Sequence, residues 1–195
     1  MAILKVARMG HPVLRRVADA IPVDDIGSEA VQRLIDDLLE TVDDQDGAGL
    51  AAPQVHASLR IVVLKFDGDT GMRVWINPVI TPVSEELAFT FEGCLSVPGV
   101  RGMVGRPAEV EVRALDRTGE PVGLRLRGFP AVVAQHEVDH LDGVLYIDRA
   151  DPRTLAFLEE YRRFMLWPDD EDDEVGDEEG ENEEGEENSD VEAEA

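Results

Sequence analysis

Apolar residues recur at helical spacing in the segment that follows Ser28. Ser28 is a suitable N-cap, charged side chains occupy the opposite face, and Gly47 and Gly49 end the pattern. The apolar positions are Val31, Leu34, Ile35, Leu38, Leu39 and Val42. The pattern predicts an amphipathic first helix.

The middle of the chain has the composition of β-strands. Runs of β-branched and other apolar residues are separated by short groups of turn-forming residues, and Asp116–Gly119 is a turn that would join the last two runs as a hairpin. The predicted strands are Leu59–Phe66 (followed by the turn Asp67-Gly68-Asp69), Arg73–Ile76 (running into Asn77-Pro78), Glu109–Leu115 and Val122–Leu126.

Two further helices are predicted late in the chain. One runs from about Pro130 to Leu141 and is ended by Gly143, and the other runs from about Pro152 to Leu166. Strands in the middle with helices on either side favour an α+β fold with an antiparallel or mixed sheet over alternating βαβ units.

The charge of the chain divides it into two parts. The 195 residues carry a formal net charge of −25, of which −17 belongs to residues 169–195, a segment without a basic or aromatic side chain. Such a segment cannot bury enough apolar surface to fold, so an acidic disordered tail is expected. Residues 1–168 carry the remaining −8 and have the length of one domain.

Composition excludes several classes of protein. An acidic body argues against direct nucleic-acid binding, and no run approaches the roughly 18 apolar residues of a membrane span. The N-terminus lacks the apolar region and cleavage site of a signal peptide. A single cysteine, Cys94, cannot form an intrachain disulfide, which is typical of a reducing compartment such as the cytoplasm.

The strongest chemical signal is the segment Gln135–His140, Q-H-E-V-D-H, on the second predicted helix. His136 and His140 are four residues apart, so both imidazoles lie on one helical face and can reach one metal ion. Glu137 lies beside the first of them and can accept a proton from a water at that ion. The pattern favours a metal site over two unrelated surface histidines.

A third metal ligand has to come from elsewhere in the chain. No histidine follows His140, and neither Asp142 nor Asp148 has a good spacing for a third ligand. Cys94 is the better candidate because it is flanked by turn-forming residues. A lone cysteine is more often a buried apolar residue, but the histidine pair reverses that expectation.

A third segment, Gly47–Gln54, is rich in small residues and ends in an amide side chain. Small residues allow a ligand or a strand to approach the backbone closely. Taken alone, the segment is better explained as the end of the first helix and a turn.

Together, the three segments resemble the peptide deformylase family. Its motifs G-x-G-x-A-A-x-Q, E-G-C-x-S and Q-H-E-x-x-D-H stand here, in order, as Gly47–Gln54, Glu92–Ser96 and Gln135–His140. The resemblance extends from about His11 to Asp148, and the three motifs together are highly specific.

The resemblance implies a role for each matching position. Cys94, His136 and His140 match the metal ligands, and Glu137 matches the general acid/base. Gln54 and the backbone N–H of Leu95 match the donors to the formyl oxygen of the substrate. Gly49 matches a backbone contact to the peptide, and Arg101 a basic position near its path.

The implied activity is removal of the formyl group from the N-terminal formyl-methionine of newly made proteins. The implied fold is α+β, with antiparallel sheets around the H-E-x-x-H helix, and the implied ion is Fe²⁺, with Zn²⁺, Ni²⁺ or Co²⁺ as alternatives. Phe129, Val132 and Val133 precede His136 on its helix and would line the methionine pocket or belong to the core. The expected setting is a cytoplasmic monomer that works transiently near the ribosome.

Two alternatives remain at this stage. A zinc endopeptidase would share the H-E-x-x-H helix, and would cleave internal peptide bonds rather than formyl groups. A catalytically silent metal-binding or peptide-binding module would have no need of Glu137 as a base and would have a closed metal site.

Overall fold

The computed structural model of the chain describes residues 2–66 and 71–165. It contains three α-helices, eight β-strands and several short 3₁₀ turns in this part of the chain. The strands are β1 (Gly49–Ala51), β2 (Ile61–Leu64), β3 (Arg73–Pro82), β4 (Leu87–Cys94), β5 (Val97–Pro107), β6 (Glu109–Leu115), β7 (Pro121–Arg127) and β8 (Ala156–Phe157). The helices are α1 (Glu29–Asp44), α2 (Phe129–Leu141) and α3 (Leu158–Phe164).

The strands form two antiparallel sheets. A five-stranded sheet has the order β1-β2-β3-β6-β7, and a three-stranded sheet has the order β4-β5-β8. The predicted α+β class is therefore confirmed, and both sheets are antiparallel. No helix in the described part of the chain is long and apolar enough to cross a membrane.

The β1–β2 end of the five-stranded sheet is buried on both faces, because α2 packs on one face and α1 on the other. Val62 and Leu64 of β2 pack in a cluster with Ala131 and Val133 of α2, whereas Ile61 and Val63 pack toward α1. Strand β2 consequently has no exposed face and shows no polar alternation. Helix α2 contacts strands of both sheets, so it lies at the centre of the molecule.

Local sequence signals agree with the boundaries of the first two helices. The Ser28 hydroxyl accepts a hydrogen bond from Val31 N, as expected of an N-cap, and α1 continues to Asp44. Helix α2 ends at Leu141, and Gly143 has a φ of +74° in the left-handed region. A Cβ at Gly143 would lie 2.8 Å from the backbone of Arg15, so this position requires glycine for two reasons.

Three predicted elements differ from the structure. Strand β2 is shorter than Leu59–Phe66, and β3 continues past Ile76 to Pro82 through a bulge at which Asn77 has a φ of +52°. The predicted helix from Pro152 was wrong over its first half, because Ala156–Phe157 pairs with Val100 and Arg101 of β5. The predicted turn at Asp67–Asp69, Leu166 and the predicted tail at residues 169–195 lie outside the described residues.

The hairpin of β4 and β5 was not predicted at all. Its strands pair from Leu87 with Pro107 to Cys94 with Val97. Cys94 therefore lies at the end of a strand, in a tight turn, and the hairpin brings it to helix α2.

Candidate metal centre and active site

Three predicted metal ligands converge in the structure. His136 and His140 lie one turn apart on α2, and Cys94 reaches them from the end of β4. The sulfur of Cys94 is 3.3 Å from Nε2 of His140, and the ligand atoms of all three residues lie within 4.8 Å of one another. In the described ranges this is the one group of three or more such side chains close enough to share an ion.

The chemistry of these donors fits a divalent metal ion. The Cys94 sulfur accepts hydrogen bonds from Ser96 N at 3.3 Å and Gln54 Nε2 at 3.5 Å, which hold it in place beside the two histidines. Burial lowers the pKa of His140 well below its usual value, so its imidazole is neutral, as a ligand must be. A thiolate and two imidazoles would supply three protein ligands to an ion, which is the number typical of a catalytic site.

A carboxylate fixes the orientation of His136. Glu92 Oε2 lies 2.7 Å from His136 Nδ1, and since a carboxylate only accepts, Nδ1 carries the proton and Nε2 is left to face Cys94 and His140. Burial would lower the pKa of His136, but hydrogen bonds with Cys94 and Glu92 raise it above its usual value. Metal binding at this imidazole therefore competes with a proton.

Glu137 lies beside this group and is almost fully buried. Its side chain is buried, and its Oε2 has no hydrogen-bond partner in the part of the chain that the structure describes. Burial raises the pKa of Glu137 to about 7, so the carboxyl group can both accept and donate a proton near neutral pH.

Two potential donors to a substrate oxygen lie near Cys94. The Gln54 amide is held by a hydrogen bond from Ala51 N to its Oε1 at 2.7 Å, which leaves its NH₂ group directed toward Cys94 and Ser96. Leu95 follows Cys94 in the turn between β4 and β5, and the Arg8 guanidinium binds its carbonyl oxygen. The backbone of this turn is thus held from the N-terminal segment.

A cavity of about 630 Å³ opens next to these groups. That volume is within the range of small-ligand sites in proteins. Ten of the eleven predicted site residues line it: Gly49, Gln54, Cys94, Leu95, Arg101, Phe129, Val132, Val133, His136 and Glu137. His140 lies behind them, almost fully buried.

A family model described as Polypeptide deformylase matches residues 3–156 of this sequence. The chain belongs to the polypeptide deformylase family.

Individual deformylases resemble the chain over most of its length. Peptide deformylase 1 of Prochlorococcus marinus (strain MIT 9313) is 45% identical over 170 residues, which is 82% of this chain and 88% of the relative. The crystal structure of peptide deformylase from Thermotoga maritima has a TM-score of 0.73 at 37% identity and covers 78% of this chain and 100% of that one. A Met-Ala-Ser-bound class I type b peptide deformylase from Acinetobacter baumannii has a TM-score of 0.72 at 36% identity and covers 76% of this chain and 98% of that one.

Family membership establishes the reaction. The chain is a hydrolase, and the reaction of its deformylase family is removal of the formyl group from N-terminal formyl-methionine. The family is metal-dependent, and the Cys94, His136 and His140 group is capable of holding the ion. The relatives named above are all deformylases, which argues against the zinc-endopeptidase alternative.

Several residues of this deformylase site were missed in the sequence. Arg8 and Tyr161 line the cavity, and neither stands in a recognisable local motif. Glu92, Arg106 and Asp139 form a buried ionic group against α2. Glu92 and Asp139 do lie within two of the sequence motifs, and this position was the signal that could have identified them as site residues.

The sequence predicted that three residues of α2 line a pocket or belong to the core: Phe129, Val132 and Val133. In the structure these two alternatives are not exclusive. Val133 packs in the cluster between the large sheet and α2 while also bordering the cavity. Phe129 borders the cavity too, with 47% of its surface exposed. One face of α2 therefore supplies both core and cavity.

Proposed function

We propose that Cys94, His136 and His140 hold one divalent ion, Fe²⁺ under physiological conditions, with Zn²⁺, Ni²⁺ or Co²⁺ as functional replacements. The convergence of these three donors beside a cavity is the observation that carries the proposal. A set of one thiolate and two imidazoles binds several first-row metal ions, so the availability of each metal in the cell decides which one occupies the site. The resemblance to the family favours iron.

Glu137 is the general acid/base of the hydrolysis. An ion bound at this site would supply Lewis acidity, which would lower the pKa of a water toward 7. The Glu137 carboxylate removes a proton from the attacking water and then delivers a proton to the amine that leaves. A buried carboxyl group with a pKa of about 7 is suited to both transfers.

Gln54 and Leu95 stabilise the charge that develops on the formyl oxygen. The Gln54 NH₂ group is preorganised because its amide oxygen already accepts from Ala51 N. The Leu95 N–H is the second donor, in a turn that Arg8 holds at the neighbouring carbonyl. Loss of one such donor typically lowers the rate about 10²–10³-fold.

The cavity binds the formyl-methionyl end of the peptide. Phe129, Val132 and Val133 supply apolar surface for the methionine side chain, Gly49 provides a backbone contact, and Arg101 lies along the path of the peptide. The Acinetobacter baumannii enzyme with bound Met-Ala-Ser, a peptide that begins with methionine, supports this occupant.

The substrate implies the setting of the enzyme. N-formylmethionyl nascent chains emerge at the ribosome, so the enzyme works transiently near it in the cytoplasm, where the free Cys94 thiol stays reduced. A net charge of −25 opposes direct contact with nucleic acid. All three metal donors come from one chain, which is consistent with a monomer whose catalytic domain is residues 1–168.

Substitution of Glu137 tests the assignment of the acid/base. Glu137→Ala should keep the bound ion and lose formate release from formyl-Met-Ala-Ser about 10²–10⁴-fold. Cys94→Ala should instead lose the ion itself. Normal turnover by Glu137→Ala, or unchanged metal content in Cys94→Ala, would refute the corresponding role.

A further inference from the structure

A line of alternately charged side chains leads away from the metal centre. It starts at His136 and passes through Glu92, Arg106 and Asp139 to Arg149. These residues come from β4, β5, α2 and the segment after α2, so the line joins four parts of the fold.

Every link in this line is a short, charge-assisted hydrogen bond. Arg106 Nε and Nη2 donate to the two Glu92 oxygens at 2.5 and 2.9 Å, and Arg106 Nη1 donates to Asp139 Oδ2 at 2.8 Å. Arg149 then donates to both Asp139 oxygens at 2.7 Å, through Nε and Nη2. The two forked pairs fix the planes of both carboxylates.

The far end of the line is its most exposed part. Glu92, Arg106 and Asp139 are buried, whereas the Arg149 side chain is 48% exposed. Arg149 borders a second cavity of about 370 Å³, which shares no lining residue with the substrate cavity. Arg149 thus contacts neither the metal ligands nor the predicted substrate path.

The two histidines differ in what holds their rings. His136 is held by Glu92 at Nδ1, whereas Nδ1 of His140 is buried without a hydrogen-bond partner in residues 2–66 and 71–165. The orientation of His136 therefore depends on the Glu92 carboxylate, which in turn depends on Arg106. Outer partners of this kind orient a ligand and tune metal affinity.

We infer that Asp139 and Arg149 are positioning residues for His136, and that the exposed Arg149 side chain helps to set the metal affinity of the buried centre. Without Arg149, Asp139 has only Arg106 as a cationic partner. Arg106 is then drawn toward Asp139, its fork on Glu92 loosens, and the His136 ring gains freedom. The inference rests on the proposed metal site.

The chain offers a matched control in the pair of Arg15 and Asp148. Arg15 also binds an aspartate through two nitrogens, and its side chain is 44% exposed. This pair makes no hydrogen bond to the line that ends at His136. Arg15→Gln thus removes a comparable surface ion pair without removing any hydrogen bond of the line.

The test uses the full chain reconstituted with Co²⁺. Cobalt affinity is measured by competition with a chelator, and the visible absorption of the cobalt–thiolate centre reports its geometry. We expect Arg149→Gln to weaken affinity about tenfold and shift the spectrum, and Asp139→Asn to weaken it by about 10–100-fold. Arg149→Lys should restore part of the affinity, and Arg15→Gln should match the wild type.

The outcomes separate this inference from the proposed function. If the wild-type chain binds no cobalt, the proposed metal site itself fails. If the wild type binds one cobalt ion and Arg149→Gln has the affinity and spectrum of Arg15→Gln, the inference is wrong. Because Arg149 is on the surface, Arg149→Gln decides the question even if Asp139→Asn does not fold.

Discussion

At the scale of single residues, the site depends on where side chains are absent. A Cβ built on Gly49 would lie 2.7 Å from both Cγ and Oε1 of Glu137. A Cβ built on Gly93 would overlap the Arg101 guanidinium. The absence of a side chain at these two motif glycines therefore leaves room for Glu137 and Arg101. It also allows a peptide to approach the backbone closely.

Gly49→Ala should displace the Glu137 carboxylate without unfolding the protein, because Gly49 does not have a positive φ. A shift of about 1 Å in a catalytic group can cost about 10²-fold, so kcat for formate release should fall by that order. Gly123→Ala is the control, since a Cβ there has no neighbour within 4 Å. A wild-type kcat for Gly49→Ala would show that Glu137 is not restrained as described.

At the scale of secondary structure, the bulge in β3 attaches the strand to the N-terminal segment. Asn77 Oδ1 accepts from Ile21 N at 2.9 Å, and Asn77 Nδ2 donates to Ile21 O at 2.8 Å. The φ of +52° at Asn77 lies in the left-handed region that asparagine tolerates better than most residues. The sequence Asn77-Pro78 therefore marks a bulge and not the end of the strand.

Asn77→Ala should lower the free energy of unfolding by about 1–3 kcal/mol, because two backbone groups of Ile21 lose their partners. Alanine adds about 1–2 kcal/mol of strain at the positive φ. Asn77→Gly also loses the two hydrogen bonds, but glycine adopts a positive φ without strain. In urea unfolding, Asn77→Gly should therefore be less destabilised than Asn77→Ala. Stabilities of both variants within 0.5 kcal/mol of the wild type would contradict this account.

Elements with a strong local signal could be predicted from the sequence. Ser28, Gly143 and the turn at Asp116–Gly119 mark boundaries through their own backbone preferences. The three motifs likewise identified the residues that converge at the metal site. In each case the information lies within a few neighbouring residues.

Features that depend on distant partners could not be predicted. Residues 156 and 157 form a strand only because β5 offers an edge, and their own sequence is compatible with a helix. Glu92 and Asp139 both bind Arg106, which is 14 and 33 residues away, and no local pattern selects that arginine among the others. The β4–β5 hairpin was missed because glycines and charged residues interrupt its alternation.

At the scale of the whole molecule, most of the charge lies outside the residues that line the described site. The family match ends at residue 156, and residues 169–195 carry −17 of the total charge of −25. The described site is formed by residues between Arg8 and Tyr161. We therefore expect the acidic segment to be dispensable for catalysis.

A chain truncated after Pro168 should retain kcat/KM for formyl-Met-Ala-Ser within about twofold of the full chain, since residues 169–195 supply none of the described lining of the substrate cavity. Thermal unfolding of both proteins serves as the control for folding. An inactive but folded truncated chain would show that residues 169–195 take part in the reaction.

The most direct test of the account joins metal content and activity in one sample. The full chain, purified without oxygen, should contain about one divalent ion per molecule and release formate from formyl-Met-Ala-Ser. Removal of the ion by a chelator should abolish formate release, and added Fe²⁺ or Co²⁺ should restore it. Both results are expected because hydrolysis in the proposal depends on the ion that Cys94, His136 and His140 hold. Bound metal without formate release, or full activity in the metal-free protein, would contradict the central claim.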